Sequence, residues 1–128
     1  MTVARIIELA RNTAALLKTA SYRENAYQSV LGHLLEDEYD VQMEVGVVYR
    51  LPDTFVFGHG RMDMKLYNKK TGACFILELK ANVQCRLQQH MGQLSRYLVH
   101  SPDKATGILI YFSGWDADVH HYVLSCRK

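Results

Sequence analysis

The chain has 128 residues, of which 48% are hydrophobic and 22% are charged, so residues 1–128 are long enough to bury the core of a single globular domain. The net charge of +2 is too small to indicate a partner by itself. No apolar run has membrane-spanning length, so we expect no membrane association. Three cysteines without CxxC spacing argue against a disulfide framework or zinc knuckle, and we expect an intracellular location in the cytoplasm or nucleus.

Two helices are predicted first. Apolar residues recur at helical spacing over residues 2–19, which predicts an amphipathic helix. Ser21 and Glu24 then form a capping-box pattern, with Ser21 as the N-cap of a second helix that runs to about Asp37.

Strands follow from Tyr39. Alternation over Tyr39–Arg50 predicts a strand with Val41, Met43, Val45, Val47 and Tyr49 on one face and a possible bulge at Gly46. Gly58–Gly60 is predicted to be a loop whose backbone could approach a ligand. The next strand, Arg61–Asn68, should carry Met62, Met64 and Leu66 on one face.

The stretch GACFILELK, residues 72–80, is an apolar strand interrupted by two charges. Because strand side chains alternate, Glu78 and Lys80 share a face with Ile76. Taken alone, this pattern is also compatible with a structural ion pair between Glu78 and Lys80, or with the solvated end of a half-buried strand.

The strand register predicted from the hairpin loop places a second carboxylate opposite Glu78. A four-residue loop at residues 69–72 would pair Asn68 with Ala73, and counting back five residues on each strand sets Asp63 opposite Glu78. Directly opposed side chains have Cβ atoms about 4.5–5.5 Å apart, so the two carboxylates should repel unless a cation lies between them. The sequence therefore predicts a divalent-metal site.

A third helix and two strands complete the predicted fold. Residues 86–100 have an apolar stripe of Leu87, Met91, Leu94 and Leu98 beside a polar stripe of Arg86, His90, Gln93 and Tyr97. Residues 107–112 form a continuous apolar run typical of a central strand, and residues 120–125 predict a final edge strand. The order of elements predicts an α/β fold with a mixed sheet of four to five strands flanked by helices.

Charge is unevenly distributed along the chain. Residues 61–104 contain eight Lys or Arg residues against Asp63, Glu78 and Asp103. If a metal ion neutralised the two paired carboxylates, this half would present a positive surface suited to a polyanion; a solvated lysine-rich face is the alternative.

Four motifs together resemble a known superfamily. Gly60–Asp63 has the form GxxD, Glu78–Lys80 the form ExK and Gln93–Tyr97 the form QxxxY. Their order and spacing resemble PD-(D/E)XK nucleases of the RecB and λ-exonuclease type. Ser21–Tyr27 resembles the signature of the GxxExxY proteins, a branch of that superfamily, with serine where glycine is usual. The resemblance covers residues 21–113 and leaves the N-terminal helix, residues 1–20, outside the family core.

The resemblance implies a restriction-endonuclease-like core and a set of site residues. The implied catalytic residues are Glu24, Asp63, Glu78, Lys80 and Gln93. Asp63, Glu78 and the backbone carbonyl of Leu79 would bind Mg²⁺ or Mn²⁺, which prefer hard oxygen ligands. Arg86, His90 and Tyr97 are candidates for nucleic-acid binding. Glu24 has two competing roles, capping partner or catalytic residue.

The predicted function is that of a metal-dependent DNA nuclease, hydrolysing phosphodiester bonds in repair, recombination or processing, with a homodimer or a larger repair assembly as possible partners. One alternative is a catalytically silent nuclease-fold module that binds nucleic acid or protein. Another is a structural subunit of a repair or recombination assembly.

Overall fold

The computed structural model describes residues 2–17, 24–50, 57–81, 86–101, 104–112 and 119–125. These residues form helices α1 (Thr2–Leu16), α2 (Glu24–Leu35) and α3 (Leu87–His100), and strands β1 (Tyr39–Arg50), β2 (Phe57–Asn68), β3 (Cys74–Ala81), β4 (Ala105–Phe112) and β5 (Val119–Ser125). The predicted cap residue Ser21 lies outside the described residues. No helix in the described part of the chain is long and apolar enough to cross a bilayer.

The strands form one mixed sheet in the order β1-β2-β3-β4-β5. β3 and β4 are parallel, and the other neighbouring strands are antiparallel. A parallel pair requires a long crossover connection, which α3 supplies between β3 and β4. The helices lie on both faces. The first core packs α1 and α2 on one face of the sheet, and the second core packs α3 on the other. The sequence prediction of a mixed, helix-flanked sheet is confirmed.

The hairpin between β2 and β3 forms as predicted. The Asn68 amide donates to the Ala73 carbonyl and the Gly72 amide donates to the Asn68 carbonyl, both at 2.8 Å. Gly72 has φ of +74°, a left-handed conformation that a side chain disfavours. The turn fixes the register of the two strands, so that Met64 pairs with Leu77.

The side chains of β1 and β2 change faces of the sheet at the same point along the two strands. Met64 and Leu66 belong to the first core, whereas Met62 belongs to the second, although all three lie at alternate positions. The inversion occurs at Asp63 and its neighbour on β1, Glu44, whose φ is +51°. The prediction that the three apolar residues of β2 share a face is therefore wrong at Met62.

Three further predictions about β1 and β2 are also corrected. Val41 packs against the first core and Val45 against the second, so the apolar residues of β1 do not share one face. The register runs without a shift through Gly46, so no bulge occurs there. Gly58–Gly60 is part of β2 and not a loop.

Two glycine substitutions with opposite signs test the turn. We expect Gly72→Ala to lower the free energy of unfolding by about 1–2 kcal/mol, because alanine is disfavoured in the left-handed region. Gly92 lies inside α3 with open space where a Cβ atom would lie, so Gly92→Ala should raise stability by about 1 kcal/mol. Urea denaturation measures both. Equal effects of the two substitutions would contradict the conformation assigned to the turn.

Candidate active site

Asp63 and Glu78 lie at the point where the regular backbone pairing between β2 and β3 ends. Regular pairing ends at Met64 and Leu77, and the next step places Asp63 across from Glu78. There each carboxylate accepts a hydrogen bond from the opposite strand. The Asp63 amide donates to Glu78 Oε1 at 3.2 Å, and the Leu79 amide donates to Asp63 Oδ2 at 2.7 Å.

These bonds change the electrostatic expectation drawn from the sequence. The two carboxylates lie together as the hairpin count predicts, but main-chain N–H groups stabilise each of them. A cation is therefore not the only means of holding the pair. The structure shows the Leu79 amide in contact with Asp63; the metal-binding role of the Leu79 carbonyl stays a prediction.

Lys80 places a positive charge beside the pair. Glu78 is 2% exposed, and its Oε2 lies 3.9 Å from Lys80 Nζ, whose side chain is 17% exposed. The expected ion pair is thus present at the limit of direct contact. Lys80 therefore supplies an ammonium group close to the Glu78 carboxylate.

Gln28 of α2 contacts the backbone of Asp63. Its Nε2 donates to the Asp63 carbonyl at 3.0 Å and lies 3.5 Å from the Met43 sulfur. Gln28 was not among the predicted site residues, although it follows Glu24 by one helical turn and shares its face. Glu24 begins α2, but its side chain lies outside what the structure describes, and its catalytic role stays a prediction.

Gln93 and Tyr97 form a bonded pair on α3. Gln93 Nε2 donates to the Tyr97 hydroxyl at 2.9 Å, and Tyr97 is 2% exposed. A Cβ atom on Gly60 would lie 2.7 Å from the hydroxyl oxygen of Tyr97, so the missing side chain of Gly60 allows β2 and α3 to approach closely. Tyr97 therefore packs inside the second core, and its role in nucleic-acid binding stays a prediction.

The other predicted nucleic-acid contacts occupy different settings. Arg86 is exposed at the start of α3. His90 is half-buried, and its Nδ1 shares a 2.6 Å hydrogen bond with the Tyr111 hydroxyl of β4. His90 therefore contacts the sheet. Lys65, counted in the positive half of the chain, is 5% exposed and contributes little to that surface.

A polar pocket lies between β2 and α3. Its volume is about 410 Å³, and it is lined by His59, Gly60, Arg61, Gln89, Gln93, Arg96 and Tyr97. Of these, only Gln93 and Tyr97 were assigned to a site from the sequence. The spacing of Gln89, Gln93 and Arg96, at i, i+4 and i+7, would have placed them on one helix face. That face could not be matched to β2 before the inversion at Asp63 was known.

The donor set at Asp63 and Glu78 fits a divalent metal. Two adjacent carboxylates supply the hard oxygen ligands that Mg²⁺ and Mn²⁺ prefer. Among the side chains that the structure describes, no group of three His, Cys, Asp or Glu residues could hold a metal. A metal at this pair therefore needs further ligands, such as a backbone carbonyl, Glu24, water or substrate.

Two substitutions at Asp63 separate its hydrogen bond from its charge. We expect Asp63→Ala to lower the free energy of unfolding by about 1–3 kcal/mol. Leu79 is only 1% exposed, so its backbone amide would be buried without its Asp63 acceptor. Asp63→Asn retains an acceptor and removes the carboxylate repulsion, so its stability in chelator should equal or exceed that of the wild type. Urea denaturation measures both. An equal loss in the two variants would contradict this role of the hydrogen bond.

Comparison with known proteins agrees with this geometry. A family model described as the PD-(D/E)XK nuclease superfamily matches residues 3–122. The matched range includes α1, which the resemblance seen in the sequence had left outside the family core. No curated protein matches the chain.

A solved structure described as the crystal structure of SSO0001 is 21% identical, with a TM-score of 0.60 over 79% of this chain and 50% of that one. The chain thus spans half the length of that structure, and the likeness supports the predicted restriction-endonuclease-like α/β fold. With the family match over residues 3–122, the chain belongs to the PD-(D/E)XK nuclease superfamily.

Proposed function

We propose that the chain is a Mg²⁺- or Mn²⁺-dependent nuclease that hydrolyses phosphodiester bonds in DNA. The observation that carries the proposal is the Asp63–Glu78 pair, hydrogen-bonded across β2 and β3, with Lys80 Nζ 3.9 Å from Glu78. Superfamily membership supplies the reaction class. The GxxD, ExK and QxxxY motifs favour the RecB and λ-exonuclease type, and Ser21–Tyr27 favours the GxxExxY branch.

Each residue of the site has a distinct task in this proposal. Asp63 and Glu78, with the Leu79 carbonyl, would hold the metal. When bound, the metal would polarise the phosphodiester and help generate the attacking nucleophile from water. Lys80 stabilises negative charge that develops on the phosphate. Gln93 orients the groups around the site, and Glu24 contributes a further carboxylate from α2.

The biological setting is proposed from the same chemistry. DNA repair, recombination or processing would use such a nuclease in the cytoplasm or nucleus. One domain of this size covers little DNA, so we propose that it acts as a homodimer or within a larger repair assembly. Arg86 and His90, at the N-terminal part of α3, are the proposed contacts to the DNA backbone.

The second candidate function is a catalytically silent module that binds nucleic acid or protein. The observation that favours it is that a main-chain amide already donates to each carboxylate, so the pair is held without a metal. Metal binding separates the two candidates, because only a nuclease of this type requires it.

Cleavage of DNA tests the first candidate directly. We expect Asp63→Asn and Lys80→Ala to reduce cleavage of a labelled DNA substrate in Mg²⁺ or Mn²⁺ by at least about 100-fold. Asp40→Asn and Lys104→Ala are matched controls, because Asp40 is exposed on β1 and Lys104 precedes β4 at the opposite end of the sheet from Lys80. Cleavage that is unchanged in the site variants would refute the proposed mechanism.

Calorimetry tests the metal site without a substrate. We expect the wild-type protein to bind Mn²⁺ and Asp63→Asn to bind it at least tenfold more weakly, since one of the two carboxylates is lost. The metal should also raise the unfolding temperature of the wild type, because it binds only the folded state. If neither protein binds Mg²⁺ or Mn²⁺, the silent module becomes the better description.

A further inference from the structure

The pocket between β2 and α3 is separate from the carboxylate pair. Asp63, Glu78 and Lys80 are not among its lining residues, but Gly60 and Arg61, which line it, directly precede Met62 and Asp63 on β2. Its volume of about 410 Å³ lies in the range of small-ligand pockets, roughly 300–1,000 Å³. The pocket therefore has room for a group of nucleotide size.

The chemistry of the pocket favours an anion. Its polar side chains are two arginines, two glutamines, a histidine and a tyrosine, and none of its lining residues is a carboxylate. Guanidinium groups bind phosphate through paired N–H donors. The glutamine amides add neutral donors that can bond phosphate or sugar oxygens.

The positions of the lining residues are fixed by the fold. Gln89, Gln93 and Arg96 lie along one face of α3, opposite the first part of β2. The Tyr97 hydroxyl accepts a hydrogen bond from Gln93, which orients that amide. Glu44 lies 3.5 Å from the Arg61 guanidinium, but both side chains are more than half exposed, so the ion pair is weak and exchangeable.

We propose that this pocket is a phosphate-binding subsite that holds one nucleotide of the substrate strand next to the Asp63–Glu78 pair. The assignment of a nucleic-acid strand as the ligand rests on the proposed function. The subsite grips the strand through its backbone phosphate, and so positions the neighbouring phosphodiester at the carboxylate pair without reading the base.

Nucleotide binding in chelator tests the subsite without catalysis. Thymidine 5′-monophosphate is titrated into the full chain in EDTA, and amide NMR follows the shifts. We expect shifts at Gly60, Arg61 and the side-chain amides of Gln89 and Gln93, also with inorganic phosphate but not with thymidine. No binding, or shifts confined to other parts of the chain, would overturn the proposal.

Two pairs of variants isolate the charge of the pocket. We expect Arg96→Gln and Gln89→Glu to weaken nucleotide binding at least tenfold, since one removes a cation and the other adds a repelling carboxylate. Arg11→Gln and Ser95→Glu make the same charge changes away from the pocket and should leave binding unchanged. All four positions are exposed on helices, and urea denaturation confirms that each variant folds. Equal weakening in both pairs would overturn the subsite.

The outcome is distinguishable from failure of the proposed function. Asp63→Asn retains the pocket and should bind thymidine 5′-monophosphate in EDTA like the wild type. If Asp63→Asn cleaves DNA normally while Arg96→Gln loses the nucleotide, the proposed reaction mechanism fails and the subsite stands. If cleavage depends on Asp63 but nucleotide binding does not depend on Arg96 or Gln89, the nuclease stands and the subsite fails.

Discussion

The reciprocal hydrogen bonds between Asp63 and Glu78 are the constraint on which the rest of the site depends. Two carboxylates at adjacent cross-strand positions are electrostatically unfavourable, yet here each one replaces a ladder acceptor for the opposite strand. The two carboxylates thus take part in the hydrogen bonding of the sheet itself. This arrangement holds two negative side chains in place through main-chain hydrogen bonds alone.

Both helix layers contact β2 near this pair. On one side, Gln28 joins α2 to the Asp63 backbone, so the first core fixes the main chain that carries the carboxylate. On the other side, the Gln93–Tyr97 pair joins α3 to the start of β2. The carboxylates therefore lie at the junction of both cores, and a shift of either helix would change their geometry.

Local chemistry explains what could be predicted from the sequence. The loop after Asn68 has a length and a glycine that fix the hairpin register, and that register alone placed Asp63 against Glu78. The inversion was not predictable, because a glutamate with positive φ has no distinctive sequence signal. Gln28 and the pocket were missed for a related reason. They depend on how helices pack against the sheet, whereas Gln93 was proposed from a helical stripe and a sequence motif.

The inversion also bears on the order in which the protein can fold during synthesis. The first half of β1 and the second half of β2 find apolar partners in α1 and α2, which lie earlier in the chain. Val45, Val47 and Met62 instead pack against α3, which leaves the ribosome later. The second half of β1 and the first half of β2 therefore stay exposed on this face until α3 has been synthesised, because their burial requires a long-range contact. The pocket between β2 and α3 therefore cannot form before α3 has been synthesised.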